Sequence, residues 1–406
     1  MLVLAGLALL ALAYTYVGYP VVLLLLGRLR PKFAPTPTVA PPGSAAGRAP
    51  PRISVLLPAF NAEAFLAKKI ESLLAQDYPP DRVEILIYCD GCTDDTERVA
   101  RALASSAEAG GRIRVFVETA RLGKPAGLNT LAAAATGDLL LLNDVRQPFS
   151  PGTLAAMARA LGDPKVGCAT GRLVLSGSAG SGVYWRYEEW LRRRESGFRG
   201  MVGMTGPIGM IRRADFAPVP ADMILDDMWL PLRIVLQGKR VFLVPEAEAY
   251  DTAFEDDREF GRKVRTLAGN YQLFARLPRL LFPVANPIWF ETISHKIMRL
   301  CAPWALVVAF GASAVAALGG IGSRSLVVGA ARALLLGQLA FYGAAALGPK
   351  GGRLPGVART FVVLNAAAIF GLGRFLTGRQ RVTWTTGREV AAPVGDAGGQ
   401  IPLDRR

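Results

Sequence analysis

The sequence predicts an α/β domain built on a mainly parallel sheet and flanked by transmembrane helices. Strand and helix patterns alternate between residues 53 and 142, and this alternation implies parallel strands joined by right-handed crossovers. Residues 1–26 contain no charged side chain, which is enough apolar chain to cross a bilayer. A second apolar region begins near residue 301, and 51% of the 406 residues are hydrophobic. The chain therefore has room for one large domain and membrane-spanning appendages.

The N-terminal apolar segment predicts a retained membrane anchor over residues 1–27. A signal peptide is the alternative, but it requires a basic region before a short apolar core. Here the cations Arg28, Arg30 and Lys32 follow the apolar run. By the positive-inside rule, the N-terminus lies outside and the next domain is cytosolic. Residues 31–51 are rich in Pro, Ala and Gly and are predicted to form a flexible linker.

The α/β domain is predicted from residue 52 to residue 282. Its first strands are apolar runs, each followed by a helical pattern: strands Ile53–Pro58, Val83–Cys89 and Ile113–Val117, with helices over 62–76 and from Thr93 or Asp94 to Ser105. A further helix opens at Lys124 and breaks at Thr136 and Gly137. The next run, 139–142, is continuously apolar, which is typical of a strand covered on both faces.

Acidic residues follow two of these strands. Asp90 comes after the second strand, and Asn143 to Arg146 follow the 139–142 run. In open α/β sheets, ligands bind at the carboxyl ends of strands, so Asp90 and Asp144 predict a site on one rim. For Asp144 alone, a solvated strand exit is an equal alternative. The phosphate-loop patterns GxGxxG and GxxxxGK[ST] do not occur in this region, which disfavours an ordinary dinucleotide or P-loop enzyme.

The charge and cysteine content exclude several classes. The formal net charge of +15 suits an anionic membrane or a phosphate-bearing substrate. No zinc-finger or RNA-recognition pattern supports nucleic acid as a partner. Cys89 and Cys92 have CxxC spacing, but the sequence lacks a second pair and its only histidine, His295, is distant. We therefore predict neither a zinc site nor a disulfide framework, and a reduced cytosolic setting.

Six segments together resemble the membrane-bound family 2 glycosyltransferases, a group that includes synthases of cellulose, hyaluronan and poly-N-acetylglucosamine. They cover about residues 52–275 in the family's order: PAFNAEAFL (58–66), QDYPPDRVEILIYCDGCTDDT (76–96), GKPAGLN (123–129), TGDLLLLNDVRQ (136–147), TGPIGMIRR (205–213) and LDDMW (225–229). The resemblance implies a GT-A fold and transfer of a sugar from a nucleotide-sugar.

The resemblance also implies roles for individual residues. Asp90 would contact the nucleotide base, usually uracil, and Lys124 would lie near the diphosphate. Asp144 would begin the DxD motif that holds the diphosphate and a divalent cation, Mg²⁺ or Mn²⁺. Asp227 would be the catalytic base, with Asp226 beside it, although either acid could instead cap the following helix. The other residues predicted to line the nucleotide-sugar site are Pro58, Phe60, Asn61, Glu63, Asn129 and Arg146.

Two departures from the family pattern bear on this prediction. The DxD motif reads Asp144-Val145-Arg146, and an Arg pairs with phosphate but does not ligate a metal, so metal dependence is left open. The QxxRW motif of processive synthases is replaced by RxxRT, from Arg262 to Thr266. Arg262 and Arg265 still suit a diphosphate or acceptor, but the Trp that stacks on the acceptor is missing. Gly206 offers close backbone approach for the acceptor, with a plain turn as the alternative.

The C-terminal region predicts further membrane segments. Residues 286–300 are amphipathic and suit the plane of the head groups, and residues 301–378 predict two or three transmembrane helices. The last apolar stretch, 361–373, is short for a span, and cations on both of its sides favour a re-entrant helix. Residues 391–406 are predicted to be disordered.

The sequence thus predicts a multi-pass plasma-membrane enzyme with a cytoplasmic catalytic domain. It would be an inverting glycosyltransferase that moves a sugar, most simply from a UDP-sugar, to a lipid or glycan acceptor in cell-envelope glycan or exopolysaccharide synthesis. A processive β-polysaccharide synthase is one alternative. A catalytically inactive membrane-bound subunit that binds nucleotide-sugars, within a polysaccharide-synthesis complex, is another.

Overall fold

The computed structural model describes residues 1–29, 32–36, 49–176, 182–252, 256–320, 325–380 and 382–383. The predicted tail 391–406 and most of the predicted linker 31–51 lie outside these residues. Seven strands form one sheet: β1 Ile53–Ala59, β2 Val83–Asp90, β3 Ile113–Glu118, β4 Leu139–Asn143, β5 Val166–Ser176, β6 Ile208–Arg212 and β7 Arg240–Thr252. The helices are α1 Leu2–Leu29, α2 Glu63–Leu74, α3 Thr96–Ala104, α4 Lys124–Ala134, α5 Thr153–Leu161, α6 Gly182–Phe198, α7 Asp226–Val235, α8 Asp256–Arg276, α9 Trp289–Leu318, α10 Leu326–Leu347 and α11 Arg353–Leu376.

The sheet is mostly parallel, as predicted. Its strand order is β3-β2-β1-β4-β6-β5-β7. Strand β1 pairs in parallel with β2 on one side and with β4 on the other, with Ile53 opposite both Val83 and Leu139. Strand β6 is antiparallel to β4 and β5. Since β1, β2 and β4 are parallel, their carboxyl ends meet at one edge, where the predicted acids follow.

Apolar layers cover both faces of the sheet, which explains the unbroken apolar runs of its central strands. On one face, Leu57 and Leu141 pack with residues of α2, α3 and α5. On the other, Leu56 and Leu140 pack with residues of α4, α7 and α8. All four of these leucines are fully buried, and each such burial contributes about 1.5–3 kcal/mol.

Helix α4 lies unusually close to the sheet. A Cβ atom added at Gly127 would lie 2.7 Å from Tyr88 Cδ1 and 3.2 Å from Pro58 Cβ. Real Cβ atoms essentially never lie within 3.0 Å of a heavy atom outside their own residue and its chain neighbours. The 2.7 Å distance to Tyr88 therefore means that any residue larger than glycine would push α4 outward. Gly127 therefore fixes how near the first turn of α4, which carries Lys124, comes to the ends of the strands.

Among the described residues, four helices are long and apolar enough to cross a membrane: α1, α9, α10 and α11. The segments predicted separately as 286–300 and as the start of 301–378 are joined in one continuous helix, α9. Helix α6 connects the α/β domain to the first of these helices by side-chain packing. Leu191 of α6 is buried with Tyr19 and Leu23 of α1, and the Tyr187 hydroxyl donates to the Tyr16 carbonyl at 3.0 Å.

Helix α11 packs along α8 of the α/β domain. A Cβ atom at Gly371 would lie 2.9 Å from the backbone nitrogen of Ala268, so the two helices are in backbone contact there. Beyond α11, the chain returns to the α/β domain, where the Val382 carbonyl accepts a hydrogen bond from Arg265 Nη2 at 2.9 Å. The apolar stretch that the sequence limited to thirteen residues is part of a helix of 24 residues.

Candidate active site

The centre of the candidate site is a lysine held between two carboxylates. Lys124 Nζ lies 2.8 Å from Asp144 Oδ1 and 3.0 Å from Asp226 Oδ2. Burial by itself lowers the pKa of Lys124, but the adjacent carboxylates of Asp144 and Asp226 outweigh it and raise the pKa above its ordinary value. Lys124 is therefore a permanent cation at the carboxyl edge of the sheet.

Local backbone geometry accounts for the position of this lysine. Gly123, which precedes α4, has a φ of +92°, in a region that favours glycine. Its amide nitrogen donates to Asp90 Oδ2 at 2.9 Å, and the amide of Leu122 donates to Asp90 Oδ1 at 2.7 Å. The predicted base-binding acid Asp90 thus anchors the loop that leads into Lys124. A carboxylate keeps further lone pairs for a ligand.

Asp227 lies beside this cluster at the first turn of α7. Burial and the neighbouring charge of Asp226 raise the pKa of Asp227 from 3.8 to about 6, although Lys124 opposes the shift. A Cβ atom at Gly206 would lie 3.2 Å from Asp227 Oδ2. The TGPIGM segment therefore passes directly against this carboxylate. Gly206 lies in a turn, and its contact with an acceptor stays a prediction.

Arg265 on α8 adds a second cation near the acids. Its Nη2 donates to the carbonyl oxygens of Ile224 and Val382. Burial lowers the pKa of Arg265, and the carboxylates of Asp226 and Asp227 act in the opposite direction. The other predicted cation of this motif, Arg262, lies one turn earlier on α8 and is exposed.

The loop after β1 lies next to the loop after β2. Asn61 has a φ of +46°, and its Oδ1 accepts from the Thr93 amide at 2.8 Å. Glu63 Oε2 accepts from the Asp95 amide at 2.9 Å. The two loops therefore brace each other. Pro58 is buried against Gly127 of α4, and the guanidinium group of Arg121 lies over the ring of Phe60.

The guanidinium group over Phe60 belongs to Arg121, at 3.6 Å from the ring centroid. The sequence reasoning did not select Arg121, although it stands two residues before the GKPAGLN motif. The pair presents a flat cationic surface beside Asp90. Such a surface suits stacking of a nucleobase.

Arg146 and Asn129 have internal partners in this structure. Arg146 forms an ion pair with Asp251 of β7, and Gln147 Nε2 donates to the same carboxylate at 2.7 Å. The Asn129 side chain donates to the Val219 carbonyl and accepts from the Val219 amide, both at 2.8 Å. Both residues therefore brace the walls of the site. Their predicted contact with the nucleotide-sugar remains a prediction.

Lys69 and Asp251 are further contributors that the sequence did not reveal. Lys69 is fully buried in α2; its Nζ donates to the Gln147 carbonyl at 2.7 Å and lies 3.3 Å above the Phe149 ring. Burial lowers its pKa well below the ordinary value. In the sequence, Lys69 looks like an ordinary surface lysine of an amphipathic helix, so no local signal marks it.

The residues around Lys124 fit a divalent cation only if a ligand completes its coordination. Within the described residues, no group of three or more His, Cys, Asp or Glu side chains has metal-binding spacing. Asp144 is 39% exposed, and the buried Asp226 Oδ2 lies behind it in an ion pair with Lys124 at 3.0 Å. Mg²⁺ is commonly held by one or two carboxylates together with substrate phosphates. Asp144, with Asp226 behind it, suits that arrangement.

Comparison with known proteins finds a family model that matches most of this domain. Residues 54–217, which carry Asp90, Lys124 and Asp144, match the model for Glycosyl transferase family 2. This part of the chain is therefore similar to a family 2 glycosyltransferase domain. Its sheet and helices form the GT-A fold that the sequence motifs predicted.

A solved structure and two curated proteins are similar to this chain. The structure of the mannosyltransferase PcManGT from Pyrobaculum calidifontis, in complex with GDP-Man and Mn²⁺, has a TM-score of 0.72, 24% sequence identity, and coverage of 93% of this chain and 99% of that one. An N-acetylglucosaminyltransferase of Rhizobium leguminosarum bv. viciae is 26% identical over 40% of each chain. A beta-monoglucosyldiacylglycerol synthase of Synechocystis is 24% identical over 67% of this chain and 60% of its own length. The chain thus spans less than two thirds of each curated relative.

Proposed function

We propose that this protein is an inverting glycosyltransferase that moves a sugar from a nucleotide-sugar, most simply a UDP-sugar, to a membrane-associated acceptor. The observation that carries the proposal is the cluster of Lys124, Asp144 and Asp226 with Asp227 beside it. These residues come from three separate elements and meet at the carboxyl edge of the parallel strands, next to helices long enough to cross a membrane.

The donor would lie with its base near Asp90 and the Arg121–Phe60 pair, and with its diphosphate at Lys124. As the bond between the sugar and the diphosphate breaks, negative charge grows on the leaving oxygen. The positive charge of Lys124 stabilises this negative charge, and the positive charge of Arg265 on α8 adds to the stabilisation. A cation placed in a half-buried site acts more strongly there than in water.

The acceptor hydroxyl would approach from the side of Gly206 and Asp227. The Asp227 carboxylate accepts its proton while the oxygen attacks the anomeric carbon. The attacking oxygen and the diphosphate lie on opposite sides of the sugar carbon, so the configuration inverts. With a pKa of about 6, Asp227 is ionised at neutral pH yet more basic than an ordinary aspartate.

Asp144 would hold a divalent cation jointly with the diphosphate of the donor. Such a cation supplies further charge neutralisation for the leaving group. Because Arg146 replaces the second acid of the motif and pairs with Asp251, the protein contributes few ligands. We therefore expect millimolar rather than tight metal binding.

The membrane orientation follows from the charges next to the helices. Arg28 lies in the last turn of α1 and Lys350 follows α10, so we expect the catalytic domain and the α10–α11 loop on the cytoplasmic face of the plasma membrane. The return of the chain to Arg265 after α11 supports the same side for the end of α11. Helix α11 would then lie along the catalytic domain without a full crossing.

The proposal is tested with the full chain purified in detergent and offered a panel of UDP- and GDP-sugars with Mn²⁺, Mg²⁺ or a chelator. We expect release of the nucleoside diphosphate from one donor, faster in the presence of a lipid extract. Asp227→Asn should lower turnover by about 10²–10⁴-fold while nucleotide binding is retained. If the wild type binds nucleotide but never turns over, the protein is a binding subunit. Long products on a gel would identify a processive synthase.

A further inference from the structure

A cavity of about 90 Å³ joins the proposed catalytic base to the membrane region. Its lining includes Asp227 and Gly203 from the catalytic domain, and His295 and Lys296 from the apolar helix α9. At about 15 Å³ for each water-sized probe, this volume accommodates roughly six waters. A small polar head group can therefore reach Asp227 from the side of α9.

The acids and the histidine around this cavity are already paired with one another. Glu195 Oε1 accepts from the Tyr19 hydroxyl at 2.7 Å and lies 2.6 Å from His295 Nδ1. Glu188 lies 3.3 Å from His295 Nε2 and 2.5 Å from Arg299 Nη1. The carboxylates of α6 are thus hydrogen-bonded or ion-paired with groups of α1 and α9.

Two cations at the cavity have no such partner. Lys296 forms no hydrogen bond and no ion pair with any other residue that the structure describes. Arg192 makes one long contact, from Nη1 to Thr205 Oγ1 at 3.5 Å, and likewise has no ion pair within the described ranges. Both side chains are half-buried, and the nearby carboxylates of Glu188 and Glu195 are already engaged by Arg299 and His295. A half-buried cation without an ion-pair partner favours an anionic ligand, so both charges suit such a ligand in the cavity.

The position of the cavity separates this ligand from the donor. The cavity lining does not include the donor-side residues Lys124 or Asp144. Asp227 stands between the two sides. Lys296 lies seven residues after the start of α9, about 10 Å along the helix, a depth at which a lysine reaches lipid phosphates.

We propose that the acceptor is a lipid whose head group carries both a phosphate and a hydroxyl. The phosphate would bind Lys296 and Arg192, and the hydroxyl would reach Asp227. This inference rests on the proposed function, since it identifies the class of acceptor at the same site. It excludes neutral lipids such as diacylglycerols, because these leave both cations unpaired.

The test compares three probes that share parts of this head group: dioctanoyl phosphatidylglycerol, dioctanoylglycerol and glycerol 3-phosphate. The first has tails, phosphate and hydroxyl; the second lacks the phosphate, and the third lacks the tails. Binding to the full-length protein is measured by native mass spectrometry and calorimetry in detergent. We expect the phospholipid to bind at least about tenfold more tightly than either of the others, the size of one charge-assisted contact.

Variants then locate the contact. Lys296→Gln and Arg192→Gln should each weaken binding of the phospholipid about tenfold and leave dioctanoylglycerol binding unchanged. Lys296→Arg should retain it. Arg186→Gln is the matched control, because Arg186 is an exposed cation on the same helix as Arg192. UDP binding should be unchanged in all four variants, and melting curves identify any variant that does not fold.

Equal binding of dioctanoylglycerol and the phospholipid would overturn the proposal. So would equal binding of glycerol 3-phosphate, which would indicate a free phosphate ligand, or full phospholipid binding by both folded glutamine variants. The proposed glycosyltransferase function is tested separately, by measuring hydrolysis of the nucleotide-sugar in the absence of lipid. If the protein shows no hydrolysis but still binds the phospholipid selectively, the catalytic role is wrong and the lipid site stands.

Discussion

Replacing Asp227 with asparagine should stabilise the protein at neutral and alkaline pH while removing its activity. The carboxyl group is partly buried next to Asp226, and these two features raise its pKa from 3.8 to about 6 in spite of Lys124. A raised carboxyl pKa means that the folded state binds the proton more tightly than the unfolded state. Keeping the group ionised therefore costs folding free energy.

The magnitude follows from the two pKa values. Their difference is about 2, and each pKa unit corresponds to about 1.4 kcal/mol, so the penalty at pH 7.5 is at most about 3 kcal/mol. Because water reaches part of the side chain, we expect a gain of about 1–2 kcal/mol for Asp227→Asn. The penalty is complete well above pH 6 and disappears only below about pH 3, where the carboxyl group is protonated in both the folded and the unfolded state.

The assay is thermal unfolding of the full chain in detergent between pH 3 and pH 8. The melting temperature of Asp227→Asn should exceed that of the wild type at pH 7.5, and the difference should shrink as the pH falls and vanish near pH 3. For the wild type, kcat/KM should fall about tenfold per pH unit below about pH 6, as the base becomes protonated. Asp81→Asn is the control, since the Asp81 side chain is 76% exposed and its replacement should shift the curve equally at every pH.

Two results would refute this reasoning. A stability difference between Asp227→Asn and the wild type that does not change with pH would mean that the carboxyl group has an ordinary pKa. A loss of stability at pH 7.5 would mean that Asp227 is held by favourable ion pairs, in which case it would be a poor base.

Three further substitutions test the site. Lys124→Met removes the cation between two carboxylates and should cost about 3 kcal/mol of folding free energy, measured by chemical denaturation, as well as nucleotide affinity. Gly206→Ala places a methyl group 3.2 Å from Asp227 Oδ2 and should lower kcat about tenfold with no change in nucleotide binding. Asp251→Ala leaves Arg146 without its carboxylate and should lower stability by about 3 kcal/mol in the same denaturation assay.

Each of these substitutions has a control in the chain. Lys124→Arg keeps the charge and should preserve most of the stability. Gly152→Ala adds a methyl group in open space and should be neutral, so an equal loss of kcat in both glycine variants would contradict the role given to Gly206. Glu246→Ala removes an exposed acid of the same strand as Asp251. If Glu246→Ala lowers the free energy of unfolding as much as Asp251→Ala does, the ion pair between Arg146 and Asp251 does not stabilise the fold.

The sequence alone was sufficient for the central sheet and for the apolar character of the terminal helices, although the bounds of α9 and α11 differ from those predicted. Strands β1, β2 and β4 are apolar runs buried on both faces, and their length and apolar content are visible without any tertiary information. The same holds for α1, whose uncharged stretch has no soluble equivalent. The motif residues Lys124, Asp144 and Asp227 were also identified from the sequence.

The tertiary structure decided how these residues are paired. Lys69, Arg121 and Asp251 brace the site, yet no local pattern distinguishes them from surface residues. The partner of Arg146 is more than a hundred positions away, and Lys296 meets the cavity of Asp227 only because α9 packs beside the domain. The periodic spacing of apolar residues indicates which face of a helix or strand is buried, because side chains return to the same face at a fixed interval along that element. The neighbours of a charge depend on how separate elements pack together, and this is determined only when the whole chain folds.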